Sequence, residues 1–275
     1  MSSVATRRVL PGFRLTLSFT LAYLGLLVLV PMAACVLRAT ELSLDEFRRA
    51  VWSERAQAAY ALTVAASFIA AATNTLIGLW IAWVLVRYEF PLKRFFDSLV
   101  DLPFALPTAV AGLVFSGLYV ESGWLGRYLV PLGIEGAYSR LGIVLVLVFV
   151  GLPFVVRTVQ PVLEELGPEI EEAAAILGAS RLQTFGRVLL PSLRPALMTG
   201  FTLAFARGLG EYGSVIFISG NIPYDTEIAA VLIVARLEEF AYAEATAIAV
   251  VLLGGSLSLL ALVNLLQRRA SQHGG

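Results

Sequence analysis

The stretch that decides the fold is residues 56–86, AQAAYALTVAASFIAAATNTLIGLWIAWVLV, in which 31 consecutive residues carry no charge. A helix needs about 20 mostly apolar residues to cross a bilayer, so this run is long enough to tilt or to project from the membrane. The composition agrees: 58% of the 275 residues are hydrophobic, 15% are charged, and the mean hydropathy is +0.82. About a quarter of the residues of a soluble domain are charged. The chain is therefore predicted to be an all-α integral membrane protein.

Five further apolar runs accompany this stretch. The six predicted spans are 15–37, 56–86, 102–120, 141–160, 195–219 and 245–267. They leave an N-terminal segment 1–14, a long loop 161–194 and a tail 268–275. If the N-terminus lies inside, 12 of the 20 Lys and Arg residues fall on the inner side and 7 on the outer side, with Arg207 in the membrane. Basic residues favour the cytoplasmic side, so both termini are predicted to be cytoplasmic.

The N-terminal run allows a second interpretation. Three arginines precede it, and it ends in Met32-Ala33-Ala34-Cys35, as a secretory signal with a lipoprotein-type cleavage site does. The run of 23 residues is longer than the apolar core of a signal peptide, which is about 7–15 residues. A retained first helix is the favoured interpretation, and cleavage is the alternative.

Rare residue types exclude several kinds of chemistry. The chain has one Cys, one His in the tail (His273) and one Lys (Lys93). A single Cys forms no disulfide within the chain, and a single tail His argues against a His-based catalytic triad or a zinc site. Lys93 lacks the glycine-rich context of a phosphate-binding loop. The balanced charge and pI of about 6.6 argue against nucleic-acid binding. We expect no cofactor or metal bound by this chain and no ATP hydrolysis by that loop.

Short helices are predicted on the outer surface. Ser43-x-x-Glu46 is a capping box at the start of a helical stripe. Trp124 and Tyr128 indicate a second interfacial helix, since such aromatic residues favour the membrane surface. Thr226 is expected to cap a third helix that runs to about residue 240.

The loop 161–194 is predicted to form a helix–turn–helix. Pro168 suits the first position of its first helix, and Gly178 suits a left-handed end. Ser180-x-x-Gln183 caps the second helix, which is predicted to stop at Pro191. From 164 to 194 there are five acidic and three basic residues, which disfavours DNA binding. Connections in bundles usually take about 2 to 8 residues, so protein docking is favoured over a mere connector.

The same loop resembles a known motif. Glu172-Ala173-Ala174, Gly178 and Val188-Leu189-Leu190-Pro191 resemble the EAA loop of ABC importer permeases, with Val188 in place of Ile. Four other stretches are similar to the T-type permeases of bacterial sulfate/thiosulfate importers, and the resemblance covers nearly the whole chain. They are RVLPGF at 8–13, DLPFALPTAVAGL at 101–113, PFVVRTVQPVLEELGP at 153–168 and GLGEYG at 208–213.

This resemblance implies a transporter subunit of the type I (MetI-like) permease fold over residues 15–267, in the bacterial inner membrane. It implies a second, W-type permease, a periplasmic sulfate/thiosulfate-binding protein and two copies of an ABC ATPase that uses ATP and Mg. The ATPase would bind the loop 161–194, hereafter the coupling loop, so this chain would not itself be an enzyme. The candidate coupling residues are Glu172, Ala173, Ala174, Gly178, Leu190 and Pro191. Molybdate or tungstate import is the alternative.

Candidate path residues follow from charges within the membrane. Arg207 and Glu211 lie four residues apart in span 195–219, where each charge costs about 2.5 to 3.5 kcal/mol. They either line the translocation path or its gate, or form a structural pair. Gly210 beside them allows close packing or a helix break. Pro103, Pro107 and Thr108, at the start of span 102–120, are candidates for a pore wall.

Two other classes remain as alternatives. A secondary transporter would need no ATPase, and the coupling loop argues against it. A DNA-binding membrane regulator would use the helix–turn–helix, and the acidic charge of that loop argues against it.

Overall fold

The computed structural model describes residues 13–272, which form helices and connecting loops without any strand. In chain order the helices are α1 Phe13–Leu24, α2 Val30–Ala39, α3 Leu44–Val51, α4 Glu54–Arg87, α5 Lys93–Val100, α6 Leu102–Ala105, α7 Thr108–Tyr119, α8 Gly126–Leu129, α9 Arg140–Glu165, α10 Glu169–Ile176, α11 Arg181–Thr184, α12 Leu190–Leu209, α13 Val215–Ile218, α14 Ala229–Glu238 and α15 Tyr242–Gln272. Two π-helical turns, Gly25–Leu29 and Phe185–Leu189, join α1 to α2 and α11 to α12.

Five helical stretches of the described chain are long and apolar enough to cross a membrane. They are Leu15–Ala39, Glu54–Arg87, Arg140–Glu165, Arg181–Leu209 and Tyr242–Leu265. Three of these stretches overlap the first, second and sixth predicted spans, and the all-α prediction is confirmed for the described residues. The count of six spans and the side on which the termini lie stay predictions.

The third predicted span, 102–120, is not one helix. The chain breaks at Leu106, whose backbone is extended, because a residue before proline is pushed out of the helical region. Pro103 lies in the first turn of α6, where the missing N–H costs no hydrogen bond. The helix after the break, α7, has 12 residues and a length of about 18 Å, against a bilayer core of about 30 Å.

The fifth predicted span, 195–219, is displaced towards the N-terminus. The helix starts at Arg181, passes through Pro191 and Pro195, and ends at Leu209. The prediction that the coupling loop's second helix stops at Pro191 is therefore wrong. A π-helical turn directly before Pro191 gives the reason, because its wider ring relieves the clash of a proline with the preceding turn.

The fourth predicted span, 141–160, also continues further than expected. α9 runs through Pro161 to Glu165, so the coupling loop begins five residues later than the prediction. Val155, Val159 and Leu163 on this helix are fully buried. Burial of that face holds the helix together past the proline, which shows that tertiary packing overrides the local signal.

The core is formed where α4, α9 and α12 pack together. Its buried side chains come from all three helices, among them Leu79, Val155, Val159, Leu193 and Phe205. The helices approach closely at Gly200, where an added Cβ would lie 2.8 Å from the Cα of Val155. Small residues permit such contacts between membrane helices. The first spanning helix lies outside this core, since its described side chains up to Arg38 are exposed or half-buried.

The outer connections confirm two predictions and correct one. The Ser43–Glu46 capping box is present: the Ser43 N–H donates to Glu46 Oε2 at 2.9 Å, and the Glu46 N–H donates to Ser43 Oγ at 3.3 Å. A short helix, α8, follows exposed Trp124 as predicted. Thr226 does not cap α14, which begins at Ala229; its hydroxyl accepts instead from the Ile222 N–H at 3.0 Å.

Candidate functional site

The turn of the coupling loop has the two local features that its sequence predicts, a left-handed Gly178 and a capping box at Ser180. α10 starts after Pro168, which lies at the N-cap and not at the predicted first helical position, and it ends at Ile176. Gly178, two residues later, has a φ of +82°, the left-handed conformation. The N–H of Gly178 donates to Ala175 O at 2.9 Å, and that of Ala179 donates to Ala174 O at 3.0 Å. The capping box at Ser180 then opens α11. These turns fix the angle between the two short helices.

Large apolar side chains of this loop point into solvent. Ile176 is 86% exposed, Leu177 87% and Leu182 81%. Glu172, Ala173, Gly178 and Pro191 are exposed as well, whereas Ala174 and Leu190 are half-buried and Leu190 packs on the core. Most of the candidate coupling residues are therefore exposed, and the same loop carries three exposed apolar side chains.

Arg87 anchors the loop and was not among the predicted site residues. Its guanidinium donates to Glu171 Oε1 at 2.7 Å, to Leu163 O at 3.0 Å and to Gly167 O at 3.3 Å. Trp83, one turn earlier, has its ring centroid 5.8 Å from the guanidinium carbon. The only sequence signal for this role is an arginine at the end of a long apolar run, which the prediction used for orientation alone.

A cavity of about 560 Å³ lies beside this anchor. It is lined by α4, α10 and the start of the long helix after Ser180, including Trp83, Glu171, Glu172 and Phe185. Trp83 and Phe185 meet edge to face with centroids 5.9 Å apart. The end of α4 and the coupling loop thus form one surface with a cleft in it.

Arg207 and Glu211 form an ion pair, as the sequence suggests, but not along one helix face. The helix ends at Leu209, so Glu211 lies in the connection to α13. Its carboxylate is buried, and Oε1 also accepts from the Ser214 N–H at 3.0 Å and the Ser214 hydroxyl at 2.9 Å. The Arg207 side chain is 34% exposed. The negative charge is therefore held and neutralised within the chain.

We call residues 207–214, the end of α12 and its connection to α13, the buried segment. Thr108 packs against this segment. A Cβ added at Gly213 would lie 2.3 Å from Thr108 Oγ1, and one added at Gly112 would lie 2.2 Å from Ser214 O. The start of α7 thus packs directly on the segment that carries Glu211. Gly210 in that segment is exposed and has open space around its Cα. Pro107 sits immediately before α7, while Pro103 lies in α6 on the other side of the break.

Between residues 13 and 272, no group of three or more His, Cys, Asp or Glu side chains is arranged to hold a metal ion. The described chain offers helices of spanning length, an exposed apolar loop and a buried ion pair. This combination is that of an integral membrane protein.

Comparison with known proteins agrees with this class. Residues 74–272 match the family described as "Binding-protein-dependent transport system inner membrane component". The chain is 49% identical over 269 residues to the sulfate transport system permease protein CysT of Salmonella typhimurium, covering 98% of this chain and 97% of that protein.

Two solved structures share the fold. A bacterial alginate ABC transporter, crystallised with an alginate-bound periplasmic protein, has a chain that superimposes with a TM-score of 0.77 at 19% identity and 94% coverage of each chain. The MetNI methionine ABC transporter gives a TM-score of 0.56 at 18% identity, covering 85% of this chain and all of that one.

These matches identify the class of protein. It is a permease subunit of an ABC importer with the MetI-like fold, and not an enzyme. The chain belongs to the family of binding-protein-dependent transport system inner membrane components. It is a multi-pass membrane protein.

Proposed function

We propose that this chain is one of two permeases that together enclose the path of an ATP-driven importer of sulfate or thiosulfate in the bacterial inner membrane. The second permease is of the W type, and a periplasmic binding protein delivers the anion. The identity of 49% along nearly the full length of a sulfate transport permease supports the choice of anion.

The coupling loop docks an ABC ATPase from the cytoplasm. The observation that carries this step is the exposure of Ile176, Leu177 and Leu182, each above 80%, on a loop that Arg87 holds in place. Exposed apolar side chains on a rigid frame are typical of protein interfaces, in which a few anchors carry most of the binding energy. The cleft beside Glu171 and Glu172 would receive a side chain of that ATPase.

The charge of the transported anion explains why its import would need ATP. Moving a divalent anion into a cell against an inside-negative potential of about 100 mV costs roughly 4.6 kcal/mol before any concentration gradient. A passive pore would let the anion leave. This chain supplies the path and the docking surface, while ATP and Mg would bind to the ATPase.

The buried segment and the start of α7 form part of the path or its gate. Thr108 packs against Gly213 of that segment, which also carries Gly210 and Arg207, and Arg207 keeps about a third of its side chain exposed. Glu211 is paired with Arg207 and accepts a hydrogen bond from the Ser214 hydroxyl, so it would repel a dianion less than a free carboxylate. The same contacts fit a structural pair that holds the end of α12.

Uptake of labelled sulfate into proteoliposomes tests the proposal. Vesicles would contain this chain, the second permease and the ATPase, with binding protein outside and ATP inside. We expect uptake that requires both ATP and binding protein, and that unlabelled thiosulfate competes for. Uptake insensitive to ATP depletion would indicate a secondary transporter, and competition by molybdate but not by thiosulfate would reassign the cargo.

A further inference from the structure

An arginine on α9 holds the start of the broken helix. The Arg157 guanidinium donates to both carboxylate oxygens of Asp101, at 2.9 and 2.6 Å, and to Asp97 Oδ1 at 2.6 Å. It also donates to the backbone oxygen of Asp97 at 2.8 Å and to Gln160 Oε1 at 2.7 Å. Asp97 lies in α5, and Asp101 lies between α5 and α6.

We call Arg157, Asp97 and Asp101 the joint, because their hydrogen bonds tie α9 to the end of α5. Two nitrogens of the Arg157 guanidinium each donate to one oxygen of the Asp101 carboxylate. This two-point geometry fixes the relative orientation of the two side chains and also strengthens their interaction. One positive and two negative charges leave a net charge of −1, so the cluster does not suit an anionic cargo. The Arg157 side chain is 31% exposed, Asp97 38% and Asp101 48%, so the joint is reached by water.

The segment that Arg157 holds is bounded by two special backbone positions. We call residues 93–105 the elbow. At one end Leu92 has a φ of +62°, a left-handed conformation that is uncommon for a residue with a side chain. At the other end the helix breaks at Leu106 before Pro107. Positions of this kind, at the ends of helices, are where proteins absorb the large changes in backbone angle of a hinge motion.

Along the chain, the joint connects the helix that leads into the coupling loop with the segment that leads into α7. Towards the C-terminus, α9 continues for eight residues, or about 12 Å, from Arg157 to Glu165 and the start of the coupling loop. From Asp101, the elbow continues through Pro107 into α7, and α7 packs on the buried segment.

We propose that Arg157 is a positioning residue that makes the elbow, and with it the start of α7, follow the movement of α9 and the coupling loop. This inference rests on the proposed function. The elbow also packs through apolar side chains: Phe104 meets Phe154 edge to face at 5.2 Å, and Val100 is buried in the core. Apolar contacts of this kind slide, whereas the arginine fork keeps the register between α9 and the elbow.

The test compares ATP hydrolysis with transport in the complete importer in proteoliposomes. In Arg157→Gln we expect hydrolysis within about twofold of wild type, because the coupling loop is intact, and sulfate uptake at least about tenfold lower. The number of ATP molecules used per sulfate then rises at least about fivefold. Arg94→Gln is the matched control, since Arg94 is an exposed arginine of the same elbow, and it should keep the wild-type ratio.

A second variant keeps the test informative if Arg157→Gln does not assemble. Asp97→Asn/Asp101→Asn removes both carboxylates, leaves the arginine its backbone and Gln160 acceptors, and should raise the ATP-per-sulfate ratio to the same extent. Combining it with Arg157→Gln should add nothing further.

The inference is overturned if the ratio stays at the wild-type value in assembled variants, or if uptake and hydrolysis fall together with the yield of complex in each of them. The second result would make Arg157 a packing residue only. If wild-type vesicles show no ATP-dependent sulfate uptake, it is the proposed function that fails, and this is distinguished before any variant is compared.

Discussion

The coupling loop and the buried segment differ in whether their side chains find partners within the chain. The loop leaves Ile176 and Leu177 almost fully exposed, and its fixed point is an anchor, Arg87, outside the exposed surface. The buried segment encloses Glu211 and satisfies it with Arg207 and Ser214 of the same chain. A surface left open needs a partner, whereas a charge satisfied from within does not. Changes in the first region should therefore alter assembly, and changes in the second should alter stability.

The largest effect on stability is expected from Glu211→Ala. It leaves Arg207 and the Ser214 N–H without their buried acceptor, and removal of one member of a buried pair costs about 3 kcal/mol when the other member is partly solvated. The free energy of unfolding of the purified complex should fall accordingly. Glu238→Ala, at an exposed glutamate, is the control and should leave it unchanged. An unaltered unfolding curve for Glu211→Ala would remove the contrast between the two regions.

Gly112→Ala should follow, with a loss of about 2 kcal/mol. The added methyl group would lie 2.2 Å from Ser214 O, so α7 or the buried segment must move. Gly117→Ala is matched to it, because Gly117 lies on the same helix with open space at its Cβ position. Thermal unfolding of the two variants should differ clearly. Equal behaviour would mean that α7 does not pack tightly on the segment.

Arg87→Gln should cost about 1.5 kcal/mol, since it removes charge-assisted hydrogen bonds to Glu171 and to two backbone oxygens. It should also weaken ATPase association a fewfold, because the loop is no longer held in one position. Association can be measured by co-purification and stability by thermal unfolding. Loss of stability with unchanged association would show that the docking surface does not depend on the anchor.

The smallest effect concerns pH. The Arg157 guanidinium holds the pKa of Asp101 below its ordinary value of 3.8. A lowered folded-state pKa stabilises the protein above the unfolded value, and this contribution is lost as pH falls towards the folded one. The melting temperature of wild type should exceed that of Asp101→Asn at pH 7, and the difference should shrink below about pH 4. A difference that is constant down to pH 3 would contradict this.

Much of the fold follows from the sequence because long uncharged runs and capping residues act locally. Ser43 and Ser180 begin helices, and Gly178 follows the end of one, as their residue types predict. Three of the wrongly predicted helix boundaries were at prolines. Pro107 breaks a helix that hydropathy alone joins, while Pro161 and Pro191 are tolerated through buried packing and a π-helical turn.

The candidate sites were less accessible to sequence reasoning. The Arg207–Glu211 pair has a spacing of four that a helix would bring together, and the pair does form. Arg87 and Arg157 act on residues 84 and 56 positions away, and no local pattern marks such contacts. Exposure of Ile176 and Leu177 depends on the turn between two short helices, which the sequence fixes only in part.

The central claim is that the exposed loop, and not the buried charges, binds the ATPase. The most direct measurement is the affinity of the purified ATPase for the permease pair that carries Ile176→Asp/Leu177→Asp, with Leu132→Asp as a control at an exposed leucine outside the loop. Burial of two such side chains contributes several kcal/mol. We predict an affinity at least about tenfold weaker, unfolding at the wild-type temperature, and a control that binds normally. Wild-type affinity in the double variant would contradict the account.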